Sequence, residues 1–243
     1  MSLPINKTTF LSFLKLIQPR SEKFVWQTFT DSKAQSRQYQ RAKVRDPLAC
    51  SFIATPEEAI PRLQVLQDKG AGIFVQLNPG LGRGKANITG LAAYFLDTDG
   101  APVEPIMETM PQPLGVTSSS EGNYHIYWRT EDSLENFRPT QKTLAQAFNC
   151  DEAMVNLDRV VRVPGSWHVK NPQNPVQVRF QACDERGVFT ADDLLSYVGP
   201  RIGSAVPSPV TGATNINSGL ITSGERFEMP DTLPEGGRTH VLV

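Results

Sequence analysis

The spacing of apolar positions changes several times along this chain, and each change marks an element. Phe10, Leu11, Phe13, Leu14 and Ile17 recur at helical spacing, which predicts a short amphipathic helix over 8–17. The run 24–30 predicts a strand. Thr55-Pro56-Glu57-Glu58 has the form of a capping box with proline at the first helical position, so a helix opens there and runs to about 68. Gly70 and Gly72 end it, and Ile73-Phe74-Val75-Gln76-Leu77 predicts a strand. A glycine-rich loop over 79–90 leads to a strand that ends at Asp97. Strands are predicted at 114–117 and 124–128, joined by a polar turn over 118–123. A helix follows over 134–148 despite Pro139 near its start, then short strands over 160–163 and 176–180. Thr190-Ala191-Asp192-Asp193 caps a last helix through Tyr197. This mixture predicts an α+β fold whose sheet keeps one open face, with no internal repeat.

Composition narrows the setting. Of the 243 residues 39% are hydrophobic and 20% charged, which predicts a packed core. After Gly199 the character changes. Pro, Gly, Ser, Thr and Asn dominate, and a flexible linker is expected over 200–230. Residues 231–243 turn apolar and are expected to begin a further domain of a longer protein. No apolar stretch is long enough to span a bilayer, and no secretory signal is visible. Cys50, Cys150 and Cys183 are isolated and have no zinc-ligand spacing, which suits a reduced, cytoplasmic protein.

The formal net charge of −1 does not mark a nucleic-acid binder, but its distribution changes the picture. From Lys15 to Arg45, eight Lys or Arg stand against only Glu22 and Asp31, with Phe24, Trp26, Phe29 and Tyr39 interleaved. That stretch suits a nucleic-acid strand, through phosphate neutralisation and base stacking, with Lys33, Arg37, Arg41, Lys43 and Arg45 as contacts. A solvated basic surface over core aromatics explains the same pattern.

Three clusters carry candidate chemistry. In Tyr94-Phe95-Leu96-Asp97-Thr98-Asp99-Gly100, strand alternation would put Asp97 and Asp99 on one side, within reach of one hard divalent cation. Asp before Gly is also ordinary turn chemistry, and a D-x-D fits a nucleotide-sugar transferase as well. The second cluster is Ser120-Glu121-Gly122-Asn123-Tyr124-His125-Ile126-Tyr127-Trp128, whose serine turn offers hydroxyls and amides for phosphate oxygens. The third carries Arg159, Arg162, His168 and Lys170 around Pro164-Gly165, with Arg159 and Arg162 on opposite strand faces. Asp151, Glu152 and Asp158 lie just upstream as candidate third ligands. Other chemistries fail on spacing. Pro79 and Ala86 spoil a P-loop, no paired-histidine strand exists, and neither G-x-S-x-G nor H-E-x-x-H occurs.

Together the clusters resemble the archaeo-eukaryotic primase superfamily, specifically the RepB-type primase domains of plasmids, phages and integrated elements. The resemblance covers about 70–199. Asp97-Thr98-Asp99-Gly100 resembles the D-x-D metal motif, 120–128 the S-x-G-x-Y-H-x-Y-W motif, and 162–170 the R-h-P-G-x-x-[NH]-x-K motif. It implies a primase domain over 1–199, in which an RNA-recognition-motif-like antiparallel sheet (about 70–199) packs against an N-terminal α/β unit (about 1–69). It also implies DNA-directed primase or primase-polymerase activity on a single-stranded DNA template with NTP or dNTP substrates. Asp97, Asp99 and Asp151 would hold two Mg2+ or Mn2+ ions, with His125 completing the catalytic set. Ser120, His125, Arg162, His168 and Lys170 would bind the nucleotide. Asp151 is favoured over Asp158 by counting back from the R-h-P-G motif, and Asn156 stands where the family often has another Asp. Leu233-Pro234-Glu235-Gly236-Gly237-Arg238 resembles the opening of the helical domain that follows such cores, often ahead of a helicase. Two other readings remain: a replication initiator with this fold that binds DNA without synthesis, and metal-dependent glycosyl transfer.

Overall fold

The computed structural model describes residues 3–120, 122–184 and 187–199. The expected linker over 200–230 and the start of a helical domain over 231–243 lie outside the described residues. Among the described residues no helix is long and apolar enough to cross a membrane.

Asn6 caps the first helix by accepting a hydrogen bond from the Thr9 N–H, and α1 (Lys7–Ile17) buries Phe10, Phe13, Leu14 and Ile17. β1 (Phe24–Thr30), α2 (Lys33–Ala42), β2 (Cys50–Ala54), α3 (Pro56–Asp68) and β3 (Ala71–Gln76) follow. The capping box at Thr55 and Glu58 forms as its sequence requires. α2 and β2 are not signalled by the apolar pattern. α2 buries no residue and has no apolar stripe to detect.

Past a single 3₁₀ turn at Lys85–Asn87 come β4 (Ala93–Asp97), α4 (Glu104–Thr109), β5 (Gly115–Ser120), β6 (Asn123–Arg129) and α5 (Leu134–Ala147). The chain continues through β7 (Val160–Arg162), β8 (Trp167–His168), β9 (Val176–Gln177), β10 (Arg179–Ala182) and α6 (Ala191–Val198). The strand expected over 176–180 is split. Val178 turns to bond with Gly165 and Ser166, so β9 pairs with β8 while β10 pairs with β5.

The strands form two four-stranded antiparallel sheets, ordered β2-β1-β3-β7 and β10-β5-β6-β4. β3 and β7 lie beyond residue 70, yet they complete the sheet that β1 and β2 begin. The expected division near residue 70 therefore does not separate two structural units. The second sheet arises from the succession β4-α4-β5-β6-α5-β10, the βαββαβ pattern of the expected core. β10 pairs with β5, which leaves β4 at an edge.

α1 joins the two sheets. Phe10 stacks on Trp26 of the first sheet at 5.4 Å, while Phe13 meets Tyr127 and Phe180 of the second at 5.7 and 5.3 Å. The open face expected of the sheet is thus covered at its middle by α1. On the other face, Tyr94 stacks on Phe137 of α5 at 6.0 Å, and Trp128 donates to the Pro111 carbonyl. The exposed edge of β4 is satisfied from a distance: buried Gln141 of α5 bonds both the N–H and the carbonyl of Phe95. Buried Asn78 does the same just before β4, accepting from the Ala92 N–H and donating to the Leu157 carbonyl.

Gly165 fastens the start of α1 to the loop after β7. Its φ is +82°, its carbonyl accepts from the Asn6 N–H at 2.9 Å, and an added Cβ would lie 2.4 Å from the Asn6 carbonyl oxygen. Gly165→Ala is expected to destabilise the protein by about 1–3 kcal/mol from backbone strain, before any displacement of α1 is counted. An unchanged urea midpoint would contradict this.

Candidate functional site

Asp97 ends β4 and pairs across the sheet with His125 of β6. His125 Nε2 lies 3.1 Å from Asp97 Oδ2, and His125 Nδ1 lies 3.3 Å from Tyr127 Oη, which is 3.3 Å from the Thr117 hydroxyl. Burial opposes the Asp97 charge. The His125 hydrogen bond and charge, the Asp99 N–H and the Arg159 charge outweigh it and hold the carboxyl below its ordinary range. Burial also raises the Tyr127 phenol far above its usual value, so it stays protonated.

Asp99 is placed differently from the strand expectation. β4 stops at Asp97, and Asp99 is exposed at φ +40°, its N–H donating to Asp97 Oδ1 at 3.2 Å. A turn, not a shared strand face, relates the two carboxylates.

Asp151 arrives from the far end of α5. Its N–H donates to the Asp97 carbonyl at 3.1 Å, and its carboxylate accepts from the Ala153 N–H at 2.8 Å. Burial pushes the neighbouring Cys150 thiol up to about 12, with the charges of Asp97 and Asp151 adding to the effect. Arg159 donates to the Ala153 carbonyl at 2.6 Å, and its buried Nε has no hydrogen-bond partner. Asp158 sits apart. Arg83 of the glycine-rich loop lies 3.4 Å from its carboxylate and also donates to its carbonyl and to Gln76. That loop is pinned down by these bonds and is not an open phosphate cradle.

The oxygen donors at Asp97, Asp99 and Asp151 suit a hard divalent cation. Among the described residues no three His, Cys, Asp or Glu side chains are drawn together into a metal-ligand group. The fit is therefore one of donor chemistry and neighbourhood.

The third cluster builds a basic cavity. Arg162 ends β7 opposite Phe74 of β3, with its guanidinium 4.5 Å from that ring's centroid. It grips Asp31 with two bonds of 2.7 and 3.1 Å, the two side chains being 12% and 4% exposed. Asp31 also accepts from the Val169 N–H at 2.7 Å. Gly72 makes room for the pair, since a Cβ there would meet Phe74 at 2.7 Å and Arg162 Nη1 at 2.8 Å. Burial and the Arg162 charge lower the His168 pKa, so its ring is neutral at pH 7 and donates through Nδ1 to the Ser119 carbonyl at 2.9 Å. Arg162, His168, Lys170, Lys33 and Arg37 line a cavity of about 490 Å3. Ser119 is two positions along β5 from Thr117, which faces His125 in the register, a separation of about 7 Å along the strand. The acidic centre and the basic cavity therefore lie at the same end of the second sheet.

Not every sequence candidate joins this arrangement. Arg41, Lys43 and Arg45 do not line the cavity. Ser120 accepts from the Asn123 side chain within the β5–β6 turn. Phe24 and Trp26 are buried in the core and Phe29 stacks on Phe74 at 4.3 Å, so these three of the interleaved aromatics serve packing. Asp31 was outside the expected site set, and Arg159, a member of the third cluster, turns to the Asp97 side and away from the basic cavity. The signal for Asp31 is its place directly after a buried strand in a basic segment. The sequence marks Arg159 as a candidate, but only folding brings it to Ala153 and Asp97.

No family model matches the chain, and no curated protein matches it. Solved structures do. The AEP domain of the primase-polymerase of cyanophage S-2L aligns at a TM-score of 0.65 and 16% identity, over 81% of this chain and all of that one. The fold is that of an archaeo-eukaryotic primase domain. The primase RepB' aligns at a TM-score of 0.57 and 14% identity, over 80% of this chain and 62% of that one. The catalytic domain of RepB', solved in complex with initiator DNA, aligns at 0.54 and 15% identity, over 80% of this chain and 94% of its own. These alignments show a shared fold, and at this identity they leave the reaction to be argued from the residues.

Removing Asp31 would leave the Arg162 charge buried and unpaired. Asp31→Ala is expected to cost about 3–5 kcal/mol in denaturant unfolding, and Asp31→Leu combined with Arg162→Met to recover part of that loss. Equal stability of Asp31→Ala and the parent would show that the pair has no structural role.

Proposed function

We propose that this chain is a DNA primase or primase-polymerase domain that makes primers on single-stranded DNA for replication of a mobile element. One observation carries the reading: in a primase fold, Asp97 and Asp151 adjoin at the end of β4, beside a cavity lined by Arg162, His168 and Lys170. The reaction is attack of a 3′-hydroxyl on the α-phosphorus of a nucleotide. The new phosphodiester bond forms, the bond to the β-phosphate breaks, pyrophosphate leaves and the hydroxyl proton is lost.

Asp97, Asp99 and Asp151 would hold magnesium or manganese, which supplies a lowered hydroxyl pKa and charge neutralisation at phosphorus and pyrophosphate. His125 fixes the Asp97 carboxylate through its 3.1 Å contact and is itself held by Tyr127. Arg162 and Lys170 present fixed positive charge to the triphosphate, a role that Asp31 supports by orienting the guanidinium. His168 holds the end of β5 at Ser119 against the cavity. The RepB' catalytic domain binds initiator DNA in its crystal structure. By analogy the basic segment Arg41, Lys43 and Arg45 would meet the template here, and a C-terminal helical or helicase domain would act with the core.

A second reading, a DNA-binding replication initiator without synthesis, is favoured by one observation. No three ligand-type side chains among the described residues form a metal group, and both His125 ring nitrogens are already engaged. Primer synthesis on single-stranded templates, with each nucleotide set and each metal, separates the two. Asp97→Asn and Asp151→Asn are expected to lose roughly 10²-fold or more in rate, and Asp158→Asn only a few-fold. Full activity of Asp97→Asn would sink the catalytic assignment. Specific duplex binding without nucleotide incorporation would favour the initiator.

A further inference from the structure

α2 presents a puzzle that packing does not resolve. It is capped by Ser32 and complete over ten residues, yet it buries none of them. Lys33, Ser36, Arg37 and Gln40 stand at helical intervals of three and four, so they share one face. That face lines the basic cavity, opposite Arg162, His168 and Lys170.

The charges of the cavity are not balanced from within. Lys33, Arg37, Arg162 and Lys170 are basic, and the one carboxylate in the lining, Asp31, is already committed to Arg162 and the Val169 N–H. Lys33 and Lys170 come together across the opening, and this contact is the chief reason the Lys170 ammonium is easier to deprotonate than usual. Two ammonium groups facing each other without an anion repel, whereas a polyanion between them satisfies both. A stacking track for bases is not provided. Phe29, the ring in the lining, lies flat on Phe74, and Phe74 carries the Arg162 guanidinium on its face.

We propose that Lys33 and Arg37 are polyphosphate ligands rather than template contacts: α2 closes the cavity over the β- and γ-phosphates of a nucleoside triphosphate, with Lys170 and Arg162 on the opposite wall. The nucleotide identity of the ligand rests on the primase reading; the polyanion site stands on the cavity itself. α2 docks on the first sheet without an apolar interface and holds its cations on the cavity side. Arg41, Lys43 and Arg45 remain past the cavity for a strand.

The test measures two affinities, without metal or template. Inorganic tripolyphosphate binding is followed by titration calorimetry, and binding of a labelled single-stranded oligonucleotide by fluorescence anisotropy. Lys33→Ala and Arg37→Ala are each expected to weaken tripolyphosphate about tenfold or more, the scale of one charge-assisted hydrogen bond, and to leave oligonucleotide affinity within about twofold. Arg41→Ala is expected to do the reverse. Lys33 and Arg37 are exposed, so neither variant endangers folding. Loss of oligonucleotide affinity with tripolyphosphate binding intact would overturn the proposal and make α2 the template track. Absence of tripolyphosphate binding by the parent protein would overturn it as well. A protein that binds tripolyphosphate through Lys33 but never makes primers keeps this inference and loses the primase reading. One that makes primers with unchanged nucleotide KM in both variants does the opposite.

Discussion

β4 is an edge strand, and the free hydrogen-bonding side of its backbone must be satisfied by something other than a strand. The protein uses side-chain amides and a turn. Asn78 serves Ala92, Gln141 serves Phe95, and the Asp151 N–H serves the Asp97 carbonyl. Each cap comes from a different part of the chain, so completing this edge fixes the loop before β4, the α5 helix and the turn after α5 at once. The functional consequence follows directly. The bond that finishes the edge is the one that sets Asp151 beside Asp97, where their charges add to the burial that keeps Cys150 a thiol.

The second organising contact is the buried Asp31–Arg162 pair. Asp31 leaves the end of β1, Arg162 the end of β7, and the same carboxylate holds the main chain at Val169. A buried pair of this kind adds little net stability against an apolar alternative, since desolvation offsets much of the attraction. Its value lies in geometry. It holds one guanidinium rigidly on the Phe74 ring, and that guanidinium adds to the burial that lowers the His168 pKa, while Asp31 has no second carboxylate beside it in the cavity lining. Under the proposed function, the acidic centre and the basic cavity at one end of the sheet would together receive a metal-bound polyphosphate.

Much of this was legible in the order of residues. The spacing of Phe10, Phe13, Leu14 and Ile17 fixed α1 to within a residue, and the Thr55–Glu58 box fixed the start of α3. The D-x-D, His125 and Arg162 clusters marked the three regions that meet in space. What failed did so for definable reasons. α2 has no apolar period because it buries none of its residues. The 176–180 run was split because Val178 bonds sideways to Gly165 and Ser166. Phe24 and Trp26, read as candidate stacking residues, are core because α1 covers them, a contact between elements that strand periodicity does not encode.

The sequence by itself determined the elements that have an apolar face, the positions of the chemically competent side chains, and the resemblance that joins them. Local rules suffice there, because periodicity, caps and turn residues act within a few positions. Only the tertiary structure brought the Asp151 main chain onto the Asp97 carbonyl, paired Asp158 with Arg83, and set Arg162 against Asp31. It also decided that the cationic face of α2 looks across a cavity at Lys170. These are pairings between residues far apart in the chain, set by the need to satisfy buried backbone and buried charge, and no local pattern records them.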